Sequence, residues 1–231
     1  MSAGVRAKAR AQTMAQILEL GRDQLAERGA ADLSVRAIAR DLGMVSSAMY
    51  RYVASRDELL TALIIQAYDR LGEQAEAAAR SRSTPGRRFV RTATAIGEWA
   101  HSHPHEWALL FGSPVPGYQA PQSTVQPGVR VPAVLVALAT EQHHQGGLDA
   151  PLPTPPIPRR LSAQATAVRG ALDTDLPDAA ILRCLMAWGM INGVISFDLF
   201  GQLANTFDPG DEALKHTFVT AALLVGFPDV R

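Results

Sequence analysis

The chain has 231 residues, of which 47% are apolar, and its 22 basic residues balance its 22 acidic residues. This length and apolar content are sufficient for more than one hydrophobic core. No run of about 18 apolar residues indicates a membrane span, and the basic N-terminus lacks the apolar segment of a signal peptide. The single cysteine, Cys184, excludes an intramolecular disulfide, and its apolar neighbours predict a buried structural thiol rather than a redox sensor. We therefore expect a two-part cytoplasmic protein.

The zero net charge conceals an uneven distribution along the chain. Residues 1–91 contain 15 Lys or Arg and 10 Asp or Glu, a net charge of +5, whereas residues 92–231 contain 7 and 12, a net charge of −5. Because attraction to phosphate is local, one basic face is sufficient for affinity to DNA. Alternatively, both halves simply carry solvated surface charge. The sequence motifs decide between this interpretation and a DNA-binding face.

Apolar residues repeat at helical spacing near the N-terminus, at Met14, Ile17, Leu18, Gly21 and Leu25. They predict a first helix over residues 8–28 that ends at Gly29. Arg6, Lys8 and Arg10 lie at its start. They belong either to an arm that contacts the phosphates or minor groove of DNA, or to a disordered tail.

Residues 34–60 carry the most specific pattern in the chain. Ser34 is a natural N-cap for a helix whose inner face holds Ile38-Ala39. Gly43 follows where the turn requires a positive φ, and Met49 brings the next short helix back to the same core. This is the spacing of a helix-turn-helix, in which the second helix lies in the DNA major groove.

A capping box of Ser55 and Glu58 begins the next predicted helix, which runs to about Ala79. Its apolar stripe is broad enough to pack against two neighbours, so we interpret it as a connector. The predicted organisation is a DNA-binding domain at residues 1–56, a connector helix at about residues 56–79, and a second domain at residues 80–231.

At this point the sequence resembles the tetracycline-repressor (TetR) family of bacterial transcriptional regulators, over about residues 10–66. The family pattern is matched by Ser34, Ile38-Ala39, Gly43, Tyr50-Arg51-Tyr52, Ser55-Arg56 and Glu58-Leu59-Leu60. The chain departs from it at Val53-Ala54, where the family often has Phe-Pro, at Arg56, where Lys is usual, and at Met44-Val45-Ser46 after the turn. These departures affect the cap and the base contacts and leave the expected fold unchanged.

Nine residues of this head are predicted to contact DNA: Ser34, Arg36, Ser46, Ser47, Ala48, Tyr50, Arg51, Tyr52 and Arg56. The first turn of the second helix faces base edges, where serine hydroxyls bond to donors or acceptors and the Ala48 methyl suits a thymine methyl. Arg36 and Arg51 reach either guanine or phosphate. The two tyrosines, Ser34 and Arg56 are expected at phosphates. We expect one tyrosine to lie mainly in the core, and the resemblance favours Tyr50 for the phosphate.

The second part is predicted to be helical over residues 87–101, 104–111, 132–145, 178–206 and 211–227. Ten of the 15 prolines lie between residues 113 and 158 and predict long, partly disordered loops around the middle helix. The last two helices carry apolar residues on more than one face, so they need a partner beyond their own domain. The resemblance implies that residues 179–204 and 211–225 form the four-helix interface of a homodimer. Two heads would then read the half-sites of a palindromic double-stranded operator.

The segments Trp107–Tyr118 and Trp188–Phe200 look like a C-terminal subclass of the family with a Trp-His-Gly signature, in which Asn192 stands where His is expected. The family fold implies an effector cavity in the second domain. The candidate lining residues are Trp99, Trp107, Phe111, Tyr118, Met186, Met190, Asn192, Phe197 and Phe200. For each of them taken alone, ordinary core packing is the favoured explanation, whereas the family fold favours a cavity for the set as a whole. Their aromatic and Met content favours a small hydrophobic or amphipathic effector.

The competing functions are an enzyme with its site in the second domain and a DNA-binding regulator without an effector. No Gly-rich phosphate loop, nucleophile elbow or metal motif appears, and the histidines at 101, 103, 105, 143 and 144 lack the cysteines or carboxylates of a metal site. We therefore expect no cofactor, no metal and no catalysis. The sequence predicts an all-α, homodimeric repressor that a small hydrophobic effector releases from DNA.

Overall fold

The structure is a computed structural model that describes residues 3–149, 153, 155–207 and 210–230. The described part of the chain is helical and contains no β-strand, which confirms the predicted all-α class. The α-helices are α1 Ala3–Arg28, α2 Val35–Asp41, α3 Ser46–Met49, α4 Arg56–Ala79, α5 Pro85–Ser102, α6 Pro104–Phe111, α7 Val125–Gln145, α8 Arg159–Ala171, α9 Asp178–Leu199 and α10 Gly210–Val225. Two short 3₁₀ segments cover Ala30–Asp32 and Gln122–Thr124.

Several helix bounds differ from the sequence-based prediction. Helix α1 begins at Ala3, so the basic residues at its start are helical and the disordered-tail alternative is wrong for them. Helix α7 begins at Val125 and accommodates Pro132 in its interior, whereas a loop was expected before that proline. Part of the remaining proline-rich region, residues 150–152 and 154, lies outside the described residues.

The end of α9 and the whole of α8 were also misjudged. Helix α9 ends at Leu199 because Gly201 adopts φ 73° and the Gln202 N–H donates to the Phe197 carbonyl at 2.8 Å, which closes the helix before residue 206. Helix α8 was not predicted. Its signal was present as apolar residues at helical spacing, at Leu161, Ala165, Val168 and Leu172.

The chain divides into two compact units. The first comprises Met1–Asp69 and His103–Gly128, and the second comprises Arg70–Ser102 and Val129–Arg231. Sequence reasoning placed residues 103–128 in the second domain, whereas the structure groups them with the head. Helices α4 and α7 each contribute residues to both units.

The core of the first unit is built from α1, α2, α3 and the beginning of α4. Ile17, Ile38, Met49 and Leu59 are completely buried in it. Helix α6 and the segment that follows it add a further layer of partly buried side chains, namely Leu109, Leu110, Val115 and Tyr118. The helix-turn-helix therefore rests on more than the three helices that its motif predicts.

The second unit packs α9 against α5, α8 and α10. The buried face of α9 consists of Ala180, Ile181, Cys184, Ala187, Ile191 and Ile195. Burial raises the pKa of the Cys184 thiol to about 12, which agrees with the predicted structural thiol. Between α5 and α7, the Arg88 guanidinium donates to both carboxylate oxygens of Glu141 at 2.7 and 2.8 Å.

The opposite face of α9 is apolar and exposed in the single chain. Leu185, Met186, Phe197 and Phe200 are between 43% and 63% exposed there. Two apolar faces explain why α9, among the described helices, is long and apolar enough to cross a bilayer. Core helices of water-soluble proteins satisfy the same criterion, so the length and apolar character of α9 are weak evidence for a membrane span.

Candidate DNA-binding site

The helix-turn-helix is fixed by local hydrogen bonds that the sequence indicated. The Ser34 hydroxyl accepts from the Ala37 N–H at 3.3 Å, which confirms the predicted N-cap of α2. Gly43 adopts φ 64°, as the turn requires. Sequence reasoning missed Gln24, whose buried side-chain oxygen accepts from the Ser34 N–H at 2.9 Å and so holds the cap on α1.

The recognition helix α3 is a single turn from Ser46 to Met49. Met49 is completely buried and anchors it to the core, while Ser46 and Ser47 are exposed and Ala48 is half-buried. The exposed serines lie at the N-terminal end, which faces base edges in helix-turn-helix proteins. Their contacts with bases stay a prediction.

The two tyrosines after α3 have different environments. Tyr50 is 44% exposed, whereas Tyr52 is half-buried and packs against the core. This is the division expected from the sequence, with Tyr50 as the residue available to phosphate. The Arg36 and Arg51 side chains are exposed, so both can reach DNA.

Arg56 is engaged within the protein. Its Nη2 donates to the carbonyl oxygens of Ala30 at 2.8 Å and Ala31 at 3.0 Å, which ties the beginning of α4 to the 3₁₀ segment after α1. These bonds use the two N–H groups of Nη2, so a phosphate contact by Arg56 would either use other N–H groups of the guanidinium or replace these bonds. The sequence could not indicate this, because the partners lie about 25 residues earlier.

The capping box of α4 forms with one change. The Glu58 N–H donates to the Ser55 hydroxyl at 3.1 Å, as predicted. The Glu58 carboxylate accepts from the Ala54 N–H rather than from that of Ser55. The beginning of α4 is therefore fixed beside the recognition helix.

Val45 is a site candidate that sequence reasoning missed. It is the N-cap residue of α3 and is 69% exposed. An apolar side chain at this end of a recognition helix can contact a thymine methyl group in the major groove. Its position in the sequence, between the turn and the two serines, could have identified it as a candidate.

Two family descriptions match this chain. "Bacterial regulatory proteins, tetR family" matches residues 17–63, and "Tetracyclin repressor-like, C-terminal domain" matches residues 89–221. HTH-type transcriptional regulators of Mycobacterium tuberculosis and Mycobacterium bovis are 40% identical over 220 residues, which cover 90% of this chain and 90% of each relative. The chain belongs to the TetR family. It is a DNA-binding transcriptional regulator, and its Trp-His-Gly subclass stays a prediction.

Solved structures of TetR-family and related proteins share the fold. The regulatory protein SCO4313 is 30% identical, with a TM-score of 0.77 and coverage of 93% of this chain and 97% of that one. A Rhodococcus protein of unknown function is 23% identical, with a TM-score of 0.70 and coverage of 93% and 95%. A Streptomyces coelicolor TetR-family regulator is 17% identical, with a TM-score of 0.60 and coverage of 93% and 80%. The last two likenesses concern the fold alone.

The predicted effector residues of this TetR-family protein are divided between the two units. Trp107, Phe111 and Tyr118 belong to the first unit, where the rings of Trp107 and Phe111 lie 4.5 Å apart. The Tyr118 hydroxyl lies 2.9 Å from that of Thr61. These three side chains therefore contribute to the packing of the unit that contains the DNA-binding head.

The other predicted effector residues lie in the second unit. Trp99 is buried, and Met190 and Asn192 are half-buried. Met186 and Phe197 are more than half exposed on the outer face of α9. The helix turns both side chains outward in the single chain, so neither is enclosed in the interior of the unit.

Among the described residues, each unit contains a cavity of about 450 Å³, within the usual range for ligand sites. The cavity of the first unit lies between the end of α1, α6 and the segment Ser113–Pro116, and His105 is its titratable lining residue. The cavity of the second unit lies between the proline-rich segment before α8 and the helices α9 and α10. Of the predicted effector residues, only Met186 lines either cavity.

Two of the histidines contact carboxylates within the protein. His101 contacts Asp198, and His144 contacts Asp175 at 2.9 Å. Among the described residues, no group of three or more His, Cys, Asp or Glu side chains is placed to hold a metal ion.

Proposed function

We propose that this TetR-family regulator is a cytoplasmic homodimer that represses transcription from a palindromic operator and is released by a small hydrophobic effector. The observation that carries the dimer is the exposed apolar face of α9, defined above by Leu185, Met186, Phe197 and Phe200. Leu223 on the adjoining helix α10 is 43% exposed as well.

Burial of such side chains stabilises association by about 25 cal/mol for each Å² of apolar surface removed from water. The exposed face of α9 contains Gly189 and Gly193 between its large residues, and both lie one helical turn apart on the same line. A Cβ atom on either glycine would meet no other described atom within 4 Å. A second α9 can therefore approach closely along this line.

The dimer is tested by sedimentation equilibrium of the wild type and two variants. Leu185→Glu places a charge in the proposed interface and should produce a folded monomer. Val125→Glu makes the same kind of change at a side chain that is 47% exposed outside α9 and α10, and it should remain dimeric. Dimers of both variants would contradict the proposed interface.

Operator binding is tested by selecting bound sequences from a random pool of double-stranded DNA. The wild type should enrich a palindrome, because a two-fold dimer presents two equivalent heads. Tyr50→Ala and Arg51→Ala should lose the enrichment, since both side chains are exposed beside α3. Enrichment of a sequence without two-fold symmetry would contradict the dimeric mode of reading.

The cavity of the first unit is our candidate for the effector site. Its wall includes Leu25 from the core of the head, and Leu109 and Val115, which pack against that core. It also includes Ala30 and Ala31, whose carbonyls hold Arg56 at the beginning of α4. A ligand that moved this wall would therefore also move the residues that pack beneath the recognition helix. If the ligand binds this moved conformation more tightly than the DNA-binding conformation, it weakens DNA binding.

The effector site is tested with the neutral fluorescent probe N-phenyl-1-naphthylamine. Ala108→Phe fills the cavity of the first unit, and Ala179→Phe is a matched substitution in the cavity of the second unit. We expect the probe to bind the wild type and Ala179→Phe, to lower their affinity for selected DNA, and to do neither with Ala108→Phe. Loss of binding in Ala179→Phe alone would move the effector to the second unit.

A further inference from the structure

Arg10 of α1 contacts the chain at the end of the recognition helix. Its Nη2 donates to the Arg51 carbonyl at 3.1 Å, and its guanidinium carbon lies 5.0 Å from the centre of the Tyr52 ring. Sequence reasoning left Arg10 either in a basic arm that contacts DNA or in a disordered tail. In the structure its guanidinium contacts two consecutive residues of the candidate site, Arg51 and Tyr52.

The position of Arg10 follows from the helical pattern of α1. Arg10, Met14, Ile17 and Gly21 are separated by four, three and four residues, so they lie on one face of the helix. Ile17 is completely buried and Met14 packs against the same core. Arg10 is exposed and extends this stripe toward the beginning of α1, at the place where the helix meets the turn after α3.

The chemistry of this place suits a guanidinium group. A backbone carbonyl in a turn is a hydrogen-bond acceptor, and a guanidinium N–H is a charged donor that suits it. The face of an aromatic ring also attracts a cation, and a planar guanidinium can lie over it while donating a hydrogen bond. A lysine at position 10 could make either contact but is poorly suited to both at once.

The turn after α3 needs such support. Helix α3 has four residues, fewer than a helix requires to be stable on its own. Met49 and Val53 anchor it from the core, but Tyr50 and Arg51 between them are exposed. The Arg10 hydrogen bond fixes the backbone from which the Arg51 side chain extends.

We propose that Arg10 is a positioning residue for operator recognition, which holds Arg51 and Tyr52 so that the neighbouring side chains meet DNA in one orientation. It acts through the protein and not through a phosphate contact. The inference rests on DNA recognition by α3 and the following turn.

The first test is amide hydrogen exchange of the DNA-free dimer. Arg10→Ala should speed exchange at the Arg51, Tyr52 and Val53 amides by roughly five- to tenfold, because the turn loses a charged hydrogen bond and a cation–π contact. Lys8→Ala removes a charge from another face of the same helix and should leave these amides unchanged. Unchanged exchange in Arg10→Ala would overturn the proposal without bearing on the proposed operator.

The second test uses the duplex DNA that the wild type enriches, at several salt concentrations. Loss of one phosphate contact in each of the two heads reduces the salt slope by about 1.8, whereas a lost positioning contact lowers affinity and leaves the slope unchanged. We expect Arg10→Ala to lower affinity roughly five- to tenfold at constant slope, with no rescue by Arg10→Lys. A reduced slope together with rescue by Arg10→Lys would show a phosphate contact and overturn the proposal.

A double-mutant cycle with Arg51→Ala completes the test. Since Arg10 is proposed to act partly through Arg51, Arg10→Ala should have a much smaller effect on affinity in the Arg51→Ala background. Fully additive effects would mean that Arg10 acts independently of Arg51, which contradicts the proposal. Thermal unfolding of each variant sets a temperature at which all are folded, so that affinities are compared between native proteins.

Discussion

The hydroxyl groups of Thr61 and Tyr118 lie 2.9 Å apart and form a hydrogen bond between α4 and the segment after α6. The Thr61 hydroxyl also donates to the Asp57 carbonyl at 2.8 Å, so its single hydrogen is already directed there. Tyr118 is therefore the donor of the pair. A residue that the sequence assigned to an effector cavity instead stabilises the unit that contains the DNA-binding head.

Tyr118→Phe should lower the free energy of unfolding by about 1 kcal/mol, because it removes a partly buried hydrogen bond and keeps the ring. Urea denaturation measures the change. Tyr118→Phe should have almost no further effect in a Thr61→Ala background. Equal effects in both backgrounds would show that the hydroxyl pair does not contribute.

Ser34 allows the cap and the DNA contact to be separated. Ser34→Ala should lower the free energy of unfolding by about 1 kcal/mol, whereas Ser34→Asp retains a capping oxygen and should preserve stability. If Ser34 also faces phosphate, Ser34→Asp should bind selected DNA more weakly through charge repulsion. Urea denaturation and DNA titration of the same samples measure both properties, and unchanged affinity of Ser34→Asp would exclude the phosphate contact.

Val45 should influence the base preference of the regulator. Val45→Ser removes the apolar contact with a thymine methyl and should reduce the preference for thymine at one position of each half-site by about 1 kcal/mol. Repeated selection from the random DNA pool measures base frequencies. Val125→Ser, at another exposed valine, is the matched control. Identical base preferences in the wild type and Val45→Ser would rule out this contact.

Gly189 tests how closely the two copies of α9 approach. Gly189→Leu should weaken dimerisation at least tenfold, a cost of about 1.4 kcal/mol, while the single chain remains helical. Gly170→Leu on α8 is the control, since a Cβ at either glycine meets no other described atom within 4 Å. Sedimentation equilibrium compares the two variants. Wild-type association of Gly189→Leu would mean that the helices are farther apart at this position.

His101 should make the α5–α9 contact dependent on pH. Its Nε2 lies 2.7 Å from a carboxylate oxygen of Asp198, and its Nδ1 lies 2.7 Å from the Gly97 carbonyl. Burial opposes the charged form, but hydrogen bonds to Gly97 and Asp198 outweigh it and raise the pKa of His101 above the ordinary 6.5. The added stability is therefore complete below pH 6.5 and is lost as the pH rises through the raised pKa.

The free energy of unfolding of the wild type and His101→Gln, measured from about pH 5.5 to about pH 8.5, tests this prediction. The advantage of the wild type should be greatest at low pH and should not exceed about 1 kcal/mol, because the imidazole is partly exposed. A difference between the two proteins that does not vary with pH would contradict the assignment.

Features that depend on neighbouring residues were predictable from the sequence. The Ser34 cap, the positive φ of Gly43 and the Ser55 hydroxyl cap of α4 were all found as expected. Each is determined by the chemistry of a few consecutive residues. The apolar spacing in α1 likewise predicted which side of that helix is buried, and the pattern extends to Arg10 although its partner was not predictable.

Contacts between distant segments were not predictable. The sequence did not indicate that Arg56, a predicted phosphate ligand, also donates to the Ala30 and Ala31 carbonyls. The aromatic residues of α6 looked like walls of a second-domain cavity, but their segment packs with the head. Residue type sets what a side chain can bind, and only the fold sets what lies within its reach.

The sequence by itself determined the helical class, the helix-turn-helix and the apolar character of both faces of α9, because these are properties of local spacing and composition. The tertiary structure decided which face of α9 is buried, where the segment after α6 packs, and that Arg10 meets the turn after α3. These outcomes depend on long-range packing, in which a helix buries one of two similar faces according to the neighbours that the rest of the chain supplies.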